Sequence, residues 1–494
     1  MESLVYLPFL EETGYTPAER FPPAPEILKQ CERIVTKWQL APHAKFHTGI
    51  TSAAWDESIR RWKVDTDRAD HITAQFLVLA TGTFHEPKLP GIAGIETFER
   101  PHFHSGRWNF AVTGGDNNGK MTGLADKTVG IIGTGCSGVQ LLPHLARDSK
   151  NLYVFQRTPS TVTPRTSWKN DPKLVTSLKP GWQRSEMERF SNIVQGDDTS
   201  DHISTAAEGF DALTKQAILL EGRQAGVMEI APEQFPELLQ LADLRLMEQL
   251  RGIVQATVFD KATAEKLKPW YSFFCKRPAF SSDYYAAFNH PNVELVDTDG
   301  KGVSHLTKTG VVANGKEYEV DVLVYATGFD FEIGSDFYRR TGIHLTGAGG
   351  QTPDQAWEEK GGPSTLFGIH SRGFPNLFTI GPAQAGVNAN WTHTAHVAGE
   401  HIAEVVAELV KDGGVHQVVE PTAEAEEEWG KQVEEGSQIR LQFGKSCSPG
   451  YGNKEGKPEE IPARWAFFPK GIVAWDRLMK EWREEGNMKG MERR

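Results

Sequence analysis

Residues 127–159 read KTVGIIGTGCSGVQLLPHLARDSKNLYVFQRTP, and the rest of the 494-residue chain is arranged around them. Val129 to Ile132 form a short apolar run that predicts a buried strand. Gly133, Gly135 and Gly138 follow as G-x-G-x-x-G. Val139 to Ala146 then have helical spacing, and Leu152 to Phe155 predict the next strand. Strand, glycine turn, helix and strand in one short unit are the signature of a dinucleotide site. The first glycine permits the tight turn, the second lets backbone approach a pyrophosphate, and the third lets helix and strand pack closely. Thr134 and Ser137 sit between them, at a helix start whose free N–H groups face the anion. The second strand runs into Gln156, Arg157 and Thr158. An Asp or Glu there would hold a ribose 2′-hydroxyl, whereas a guanidinium forks onto a 2′-phosphate. The residues therefore favour NADPH over NADH.

Composition narrows the class. Hydrophobic residues are 39% and charged residues 24%, as in an ordinary globular protein with room for two or three cores. The net charge is −12 and no long basic tract occurs, which disfavours nucleic acid as a partner. No apolar run is long enough for a membrane span, and Met1-Glu2 opens without a secretory pattern. Cys31, Cys136, Cys275 and Cys447 lie far apart and suggest neither a metal spacing nor a disulfide framework, so a cytoplasmic location is expected. No H-E-x-x-H or G-x-S-x-G pattern is present, so no metal and no hydrolase chemistry is expected.

Outward from the glycine loop, the pattern predicts a helix over 26–39 and strands at Ala44–Trp55, Trp62–Thr66 and Ile72–Leu79. The last of these ends in Ala80-Thr81-Gly82. A second apolar strand, Val322–Tyr325, ends in Ala326-Thr327-Gly328. These two copies mark where the chain crosses between two nucleotide-binding domains. Residues 180–268 are helical in pattern, clearest in ALTKQAILLEGRQ and PELLQLADLRLMEQLRGIV, and read as an insertion. Strands at Val293–Val296 and before Gly381-Pro382, and a helix from Thr392 to Leu409, follow. Trp391 starts that helix and reads as core, and the 423–494 tail is a charged stretch rich in Trp, Glu and Gly.

Several of these pieces together resemble the class B flavin-dependent monooxygenases, and among them the Baeyer–Villiger branch. Phe98-x5-His104-x3-Trp108 resembles that branch's F-x-G-x-x-x-H-x-x-x-W fingerprint, with Arg100 in place of the glycine. VLATG at 78–82, GTGCSG at 133–138, FQRTP at 155–159, CKRP at 275–278, ATGFD at 326–330 and GFPNLFTIGP at 373–382 match in order. The opening ESLVYLPFLEETGY and the late CSPGYGNKEG resemble fungal members of secondary metabolism.

The resemblance implies an α/β fold of two Rossmann-like domains. Residues 1–125 and 326–494 would bind FAD, and 126–325 would bind NADPH. It implies a reaction in which NADPH reduces FAD and one oxygen atom of O2 enters a ketone, giving an ester or lactone. Arg277 matches the family's catalytic arginine, with Lys276 beside it near the NADPH ribose or phosphate. Thr81, Gly82, Thr327, Gly328, Asp330, Gly381 and Pro382 would line the flavin, with Asn388 or Asn390 as polar contacts. His104 and Trp108 would couple the domains. Members of the family open with a separate glycine motif for FAD and an acidic residue near the flavin, and neither stands in this sequence. The expectation is an incomplete FAD domain. The alternatives are an N- or S-oxygenating enzyme and a remnant that binds NADPH alone.

Overall fold

The computed structural model describes residues 2–165, 167–195, 234–330, 337–413 and 416–494. Its centre is a five-stranded, all-parallel sheet. In spatial order the strands are Val293–Asp297, Asn151–Gln156, Thr128–Ile132, Val322–Tyr325 and His102–His104. Parallel strands need crossover connections, and their two covered faces explain why the strand sequences are apolar runs and not alternating ones. The helix Cys136–Asp148 covers one face, burying Val139, Leu142 and Leu145 against Val129, Ile131, Leu152 and Val154. Each such side chain contributes about 1.5–3 kcal/mol on leaving water. The other face is closed by the small antiparallel sheet of His305–Leu306, Gly310–Ala313 and Lys316–Glu319, through Val311, Tyr318 and Val320.

A second layered region lies on either side of this unit in sequence. Ile50–Asp56, Arg61–Thr66 and His71–Ala74 form an antiparallel meander, with His344–Thr346 added in parallel to its edge. Leu77–Leu79 pairs in parallel with Leu377–Thr379. The helices Trp391–Gly413, Ala423–Ser446 and Gly471–Glu484 pack behind it, around Phe378, Val397, Trp429, Phe468 and Trp475.

Three local expectations change. The strand expected over Ala44–Trp55 begins only at Ile50, after a short 3-10 turn at Ala41–His43. The strand expected over Ile72–Leu79 is two strands with different partners. The break has a cause far away in sequence: Asn376 donates to the Gln75 carbonyl at 3.1 Å, and its own carbonyl accepts from Leu77 N–H at 3.0 Å. Trp391 is not core; it opens its helix 37% exposed. Within 180–268, the helices Trp182–Gln195, Phe235–Thr257 and Lys261–Leu267 are present, whereas ALTKQAILLEGRQ lies outside the described residues. The tail holds two long amphipathic helices, Ala423–Ser446 and Gly471–Glu484.

The cysteines also depart from expectation. Cys275 and Cys447, 172 residues apart, are joined in a disulfide, while Cys31 and Cys136 are free. Spacing carried no sign of this pair, because the fold alone brings the segment after Phe273 against the end of the helix Ala423–Ser446.

Candidate active site

The glycine loop has the geometry its sequence demands. Gly133 adopts φ +107°, and a Cβ there would press on the Ala326 carbonyl oxygen, at the crossover from Val322–Tyr325. A Cβ on Gly138 would collide with the Gly133 carbonyl oxygen. Gly135, by contrast, has an ordinary φ of −70° and a Cβ direction that meets nothing within 4 Å. Two glycines are therefore needed by the protein's own packing, and the third leaves open space at the N-terminus of Cys136–Asp148. That opening suits a pyrophosphate approaching free N–H groups. Thr134 is buried and donates from Oγ1 to the Thr158 carbonyl at 3.0 Å, tying the loop to the second strand's exit. Ser137 lies in the first turn of the helix.

Arg157 leaves the strand Asn151–Gln156 half exposed and reaches Glu455 at 3.1 Å. Gln156 does not join it. It is buried and donates to the Lys266 carbonyl at 2.8 Å and to Asp297 at 3.1 Å, so its role is internal and not toward a phosphate. Lys276 donates to the Pro449 carbonyl at 2.8 Å and lies 5.6 Å from the Tyr271 ring. Burial, and secondarily the charge of Arg157, lower its pKa, with Glu455 acting the other way.

Arg277 follows directly. Its carbonyl faces the Cys136 thiol at 3.8 Å, at the first residue of the glycine-loop helix. Its exposed side chain hydrogen-bonds Tyr6, from the opening segment. Burial pushes the Tyr6 hydroxyl up to about 12, with Arg277 opposing, so the phenol stays neutral near pH 7. The same cation acts on the Cys136 thiol and on Tyr451, both of which burial raises. The guanidinium charge is thus felt at the start of the glycine-loop helix and at two phenols. Sequence reasoning did not single out Tyr6 and Tyr451, on which the Arg277 charge acts, or Glu455, which meets Arg157. For Tyr6 the unusual aromatic opening was the available signal.

The fingerprint residues are packed together. His104 is buried, accepts from Gly106 N–H at 3.1 Å through Nδ1, and meets Phe329 edge-on at 5.1 Å. Burial lowers its pKa, and the proximity of the Gly328 backbone opposes this. Trp108 donates to Thr113 at 3.1 Å and packs edge-on against Phe103. Phe98 stacks on His102 at 5.4 Å. Thr327 donates to the Lys88 carbonyl, and Gly328 adopts φ +82°. These contacts fasten the 98–113 segment to the crossover after Val322–Tyr325.

A cavity opens within the second region, beside the Ala80-Thr81-Gly82 crossover. Thr81, Gly82, Asp330, Gly381 and Pro382 line it, with Trp357 and Trp465. Asp330 is held by Arg339 at 2.6 Å. The lining is mostly apolar with a few polar groups, as in a small-molecule or cofactor site. Asn388 and Asn390 are committed elsewhere: Asn388 donates to Ser191 at 2.6 Å, and buried Asn390 donates to the Val5 carbonyl at 3.0 Å. Among the described residues, no group of three or more His, Cys, Asp or Glu is placed to hold a metal, and no helix is long and apolar enough to cross a membrane.

Two layered regions, an apolar cavity beside the Ala80-Thr81-Gly82 crossover and a glycine loop followed by an arginine are the features of a two-domain, dinucleotide-dependent oxidoreductase. Comparison with known proteins sharpens this. No family model matches the chain. A ketocytochalasin monooxygenase of Aspergillus clavatus is 62% identical over the whole of this chain and 77% of its own length. The polycyclic ketone monooxygenase from the thermophilic fungus Thermothelomyces thermophila superposes with a TM-score of 0.90 at 36% identity, covering all of this chain and 80% of that one. A structure of OTEMO in complex with FAD and NADP gives a TM-score of 0.76 at 25% identity, over all of this chain and 90% of that one. The chain belongs to the Baeyer–Villiger monooxygenases of fungal secondary metabolism, within the flavin-dependent monooxygenases.

Proposed function

We propose that this monooxygenase uses Arg277 as the fixed cation of its reaction centre. Gly133, Gly135, Gly138 and Arg157 hold NADPH, and the cavity lined by Gly82, Gly381 and Pro382 holds FAD. The enzyme inserts one oxygen atom of O2 beside a ketone carbonyl and releases an ester or lactone. FAD and NADPH are its cofactors. FAD, reduced by NADPH, supplies the oxygen-activating chemistry.

The protein's own contribution is position and charge. Negative charge develops on oxygen during the insertion. A guanidinium beside it stabilises that charge without having to gain a proton first. Tyr6 restrains the guanidinium from the side of the opening segment, and the phenol's raised pKa keeps it from competing as an anion. The free N–H groups at the start of Cys136–Asp148 take the NADPH pyrophosphate. His104 and Trp108 couple the crossover to the linker and exchange no proton. The division proposed is 126–325 for NADPH, with the insertion at about 180–268, and 1–125 with 326–494 for FAD, except that the strand His102–His104 pairs with Val322–Tyr325 and so goes with the NADPH-side sheet. The cytoplasm is proposed as the compartment on the need for NADPH alone, since the Cys275–Cys447 disulfide removes the cysteine argument for it.

The observation carrying this reading is that the charge of Arg277 acts on the Cys136 thiol, at the first residue of the glycine-loop helix, and on Tyr6 and Tyr451, which supports a permanent cation close to the start of that helix. The test is incubation with a cyclic ketone, NADPH and 18O2. One 18O atom in an ester or lactone supports it. Exclusive N- or S-oxide formation from mixed substrates contradicts it.

A further inference from the structure

The segment Cys447–Gly456 is anchored beside the Arg157 cluster. The disulfide ties Cys447 to Cys275, the residue before Lys276. Lys276 in turn grips the Pro449 carbonyl at 2.8 Å. Buried Asn453 organises the turn, accepting from the Gly450 and Gly456 N–H groups at 2.9 and 3.1 Å and donating to the Gly444, Cys447 and Ser448 carbonyls at 3.2, 3.3 and 3.3 Å. Lys454, Glu455 and Gly456 are three consecutive left-handed residues, with φ of 48°, 54° and 94°. Non-glycine residues enter that region at a cost, so surrounding structure must fix them there.

The product of this construction is a carboxylate on the cations. Glu455 lies 3.1 Å from Arg157 and 3.4 Å from Lys88, and its charge acts on Lys276. Arg157 follows the second strand of the glycine-loop unit, where the group on the adenosine 2′-position is read. The cations there suit a phosphate, and the anion that already meets them is the chain's own.

We propose that Glu455 is a specificity-determining residue: an internal anion that the 2′-phosphate of NADPH must displace from Arg157 and Lys88. This rests on Arg157 being the 2′-phosphate site. A nucleotide without that phosphate leaves the Glu455 pairs intact. Glu455 therefore narrows the preference for NADPH over NADH, and the disulfide-anchored turn keeps it in place. The pairs are between two-fifths and half exposed, so the effect is modest and weakens with salt.

The experiment is calorimetric titration of the full chain with 2′,5′-ADP and with 5′-AMP, at low and high salt, for the unaltered protein, Glu455→Gln, Arg157→Ala and the double variant. Glu455→Gln is expected to bind 2′,5′-ADP about two- to tenfold tighter at low salt, with 5′-AMP unchanged and the gain lost at high salt and in the double variant. Glu455→Ala, which removes the carboxylate differently, gives the same gain. Unchanged or weaker 2′,5′-ADP binding in both Glu455 variants, or equal tightening of 5′-AMP, overturns the proposal. If Arg157→Ala weakens 2′,5′-ADP while the Glu455 variants gain nothing, this inference alone falls. If Arg157→Ala leaves 2′,5′-ADP unaffected, the 2′-phosphate site falls and the inference falls with it.

Discussion

Replacing Gly135 by alanine separates what the glycine loop does for the fold from what it does for the cofactor. Gly135 has φ −70°, which alanine adopts without strain, and the added methyl meets no protein atom within 4 Å. Gly135 is also the N-cap of Cys136–Asp148, where alanine is less favoured, so stability falls by no more than about 1 kcal/mol. The methyl instead fills the space a pyrophosphate needs. A charge-assisted hydrogen bond is worth about 1.5–3 kcal/mol, so losing one weakens binding roughly 10- to 150-fold. Gly138→Ala is the contrast. Its methyl meets the Gly133 carbonyl oxygen, and the helix must move from the strand at a cost of about 1–3 kcal/mol. Thermal unfolding and NADP+ titration, run on both variants, read the two effects apart. Gly135→Ala is expected to melt nearly as the parent and bind NADP+ weakly; Gly138→Ala is expected to lose both. NADP+ binding at parental affinity by Gly135→Ala refutes the assignment of this opening to the pyrophosphate.

Other outcomes follow from buried groups and covalent ties. His370, His393 and His401 are buried, and burial holds His370 at about 3, His393 at about 4 and His401 well below its ordinary value. Below pH 6.5 the unfolded chain binds protons that these native side chains refuse, so unfolding free energy falls as pH drops from about 6.5 toward 4, by up to about 1.4 kcal/mol per pH unit per histidine. Urea unfolding at a series of pH values checks this, and a flat profile between pH 6.5 and 5 contradicts it. Non-reducing peptide mapping is expected to recover one cross-linked peptide containing Cys275 and Cys447, and Cys447→Ser to lower stability by about 2–4 kcal/mol. Trp108→Phe, which removes the bond to Thr113, is expected to cost about 1 kcal/mol and leave NADP+ affinity unchanged in titration.

Local pattern and long-range packing divide what could be read in advance. The strands around the glycine loop were legible because their apolar runs and turn glycines are local constraints, and the three glycines have the distinct surroundings that their spacing implied. The split of Ile72–Leu79 was not legible, because Asn376, some three hundred residues away, takes the Gln75 carbonyl. Gln156 and Arg157 are neighbours with opposite fates for a similar reason: strand alternation turns one inward to Lys266 and Asp297 and the other out to Glu455. Arg277 is proposed from its CKRP setting, whereas Tyr6 and Tyr451, on which its charge acts, come from opposite ends of the chain, and no spacing rule joins them. The Cys275–Cys447 bond belongs to the same class of tertiary fact.

The central claim is that the side chain of Arg277 stabilises negative charge on oxygen during insertion. Its most direct measurement is ester formation from a ketone by Arg277→Ala, with NADP+ affinity measured on the same sample. The account expects NADP+ to bind and product formation to fall about 10²- to 10³-fold, as when one preorganised donor to a developing oxyanion is removed. Ester formation at the parental rate would contradict it.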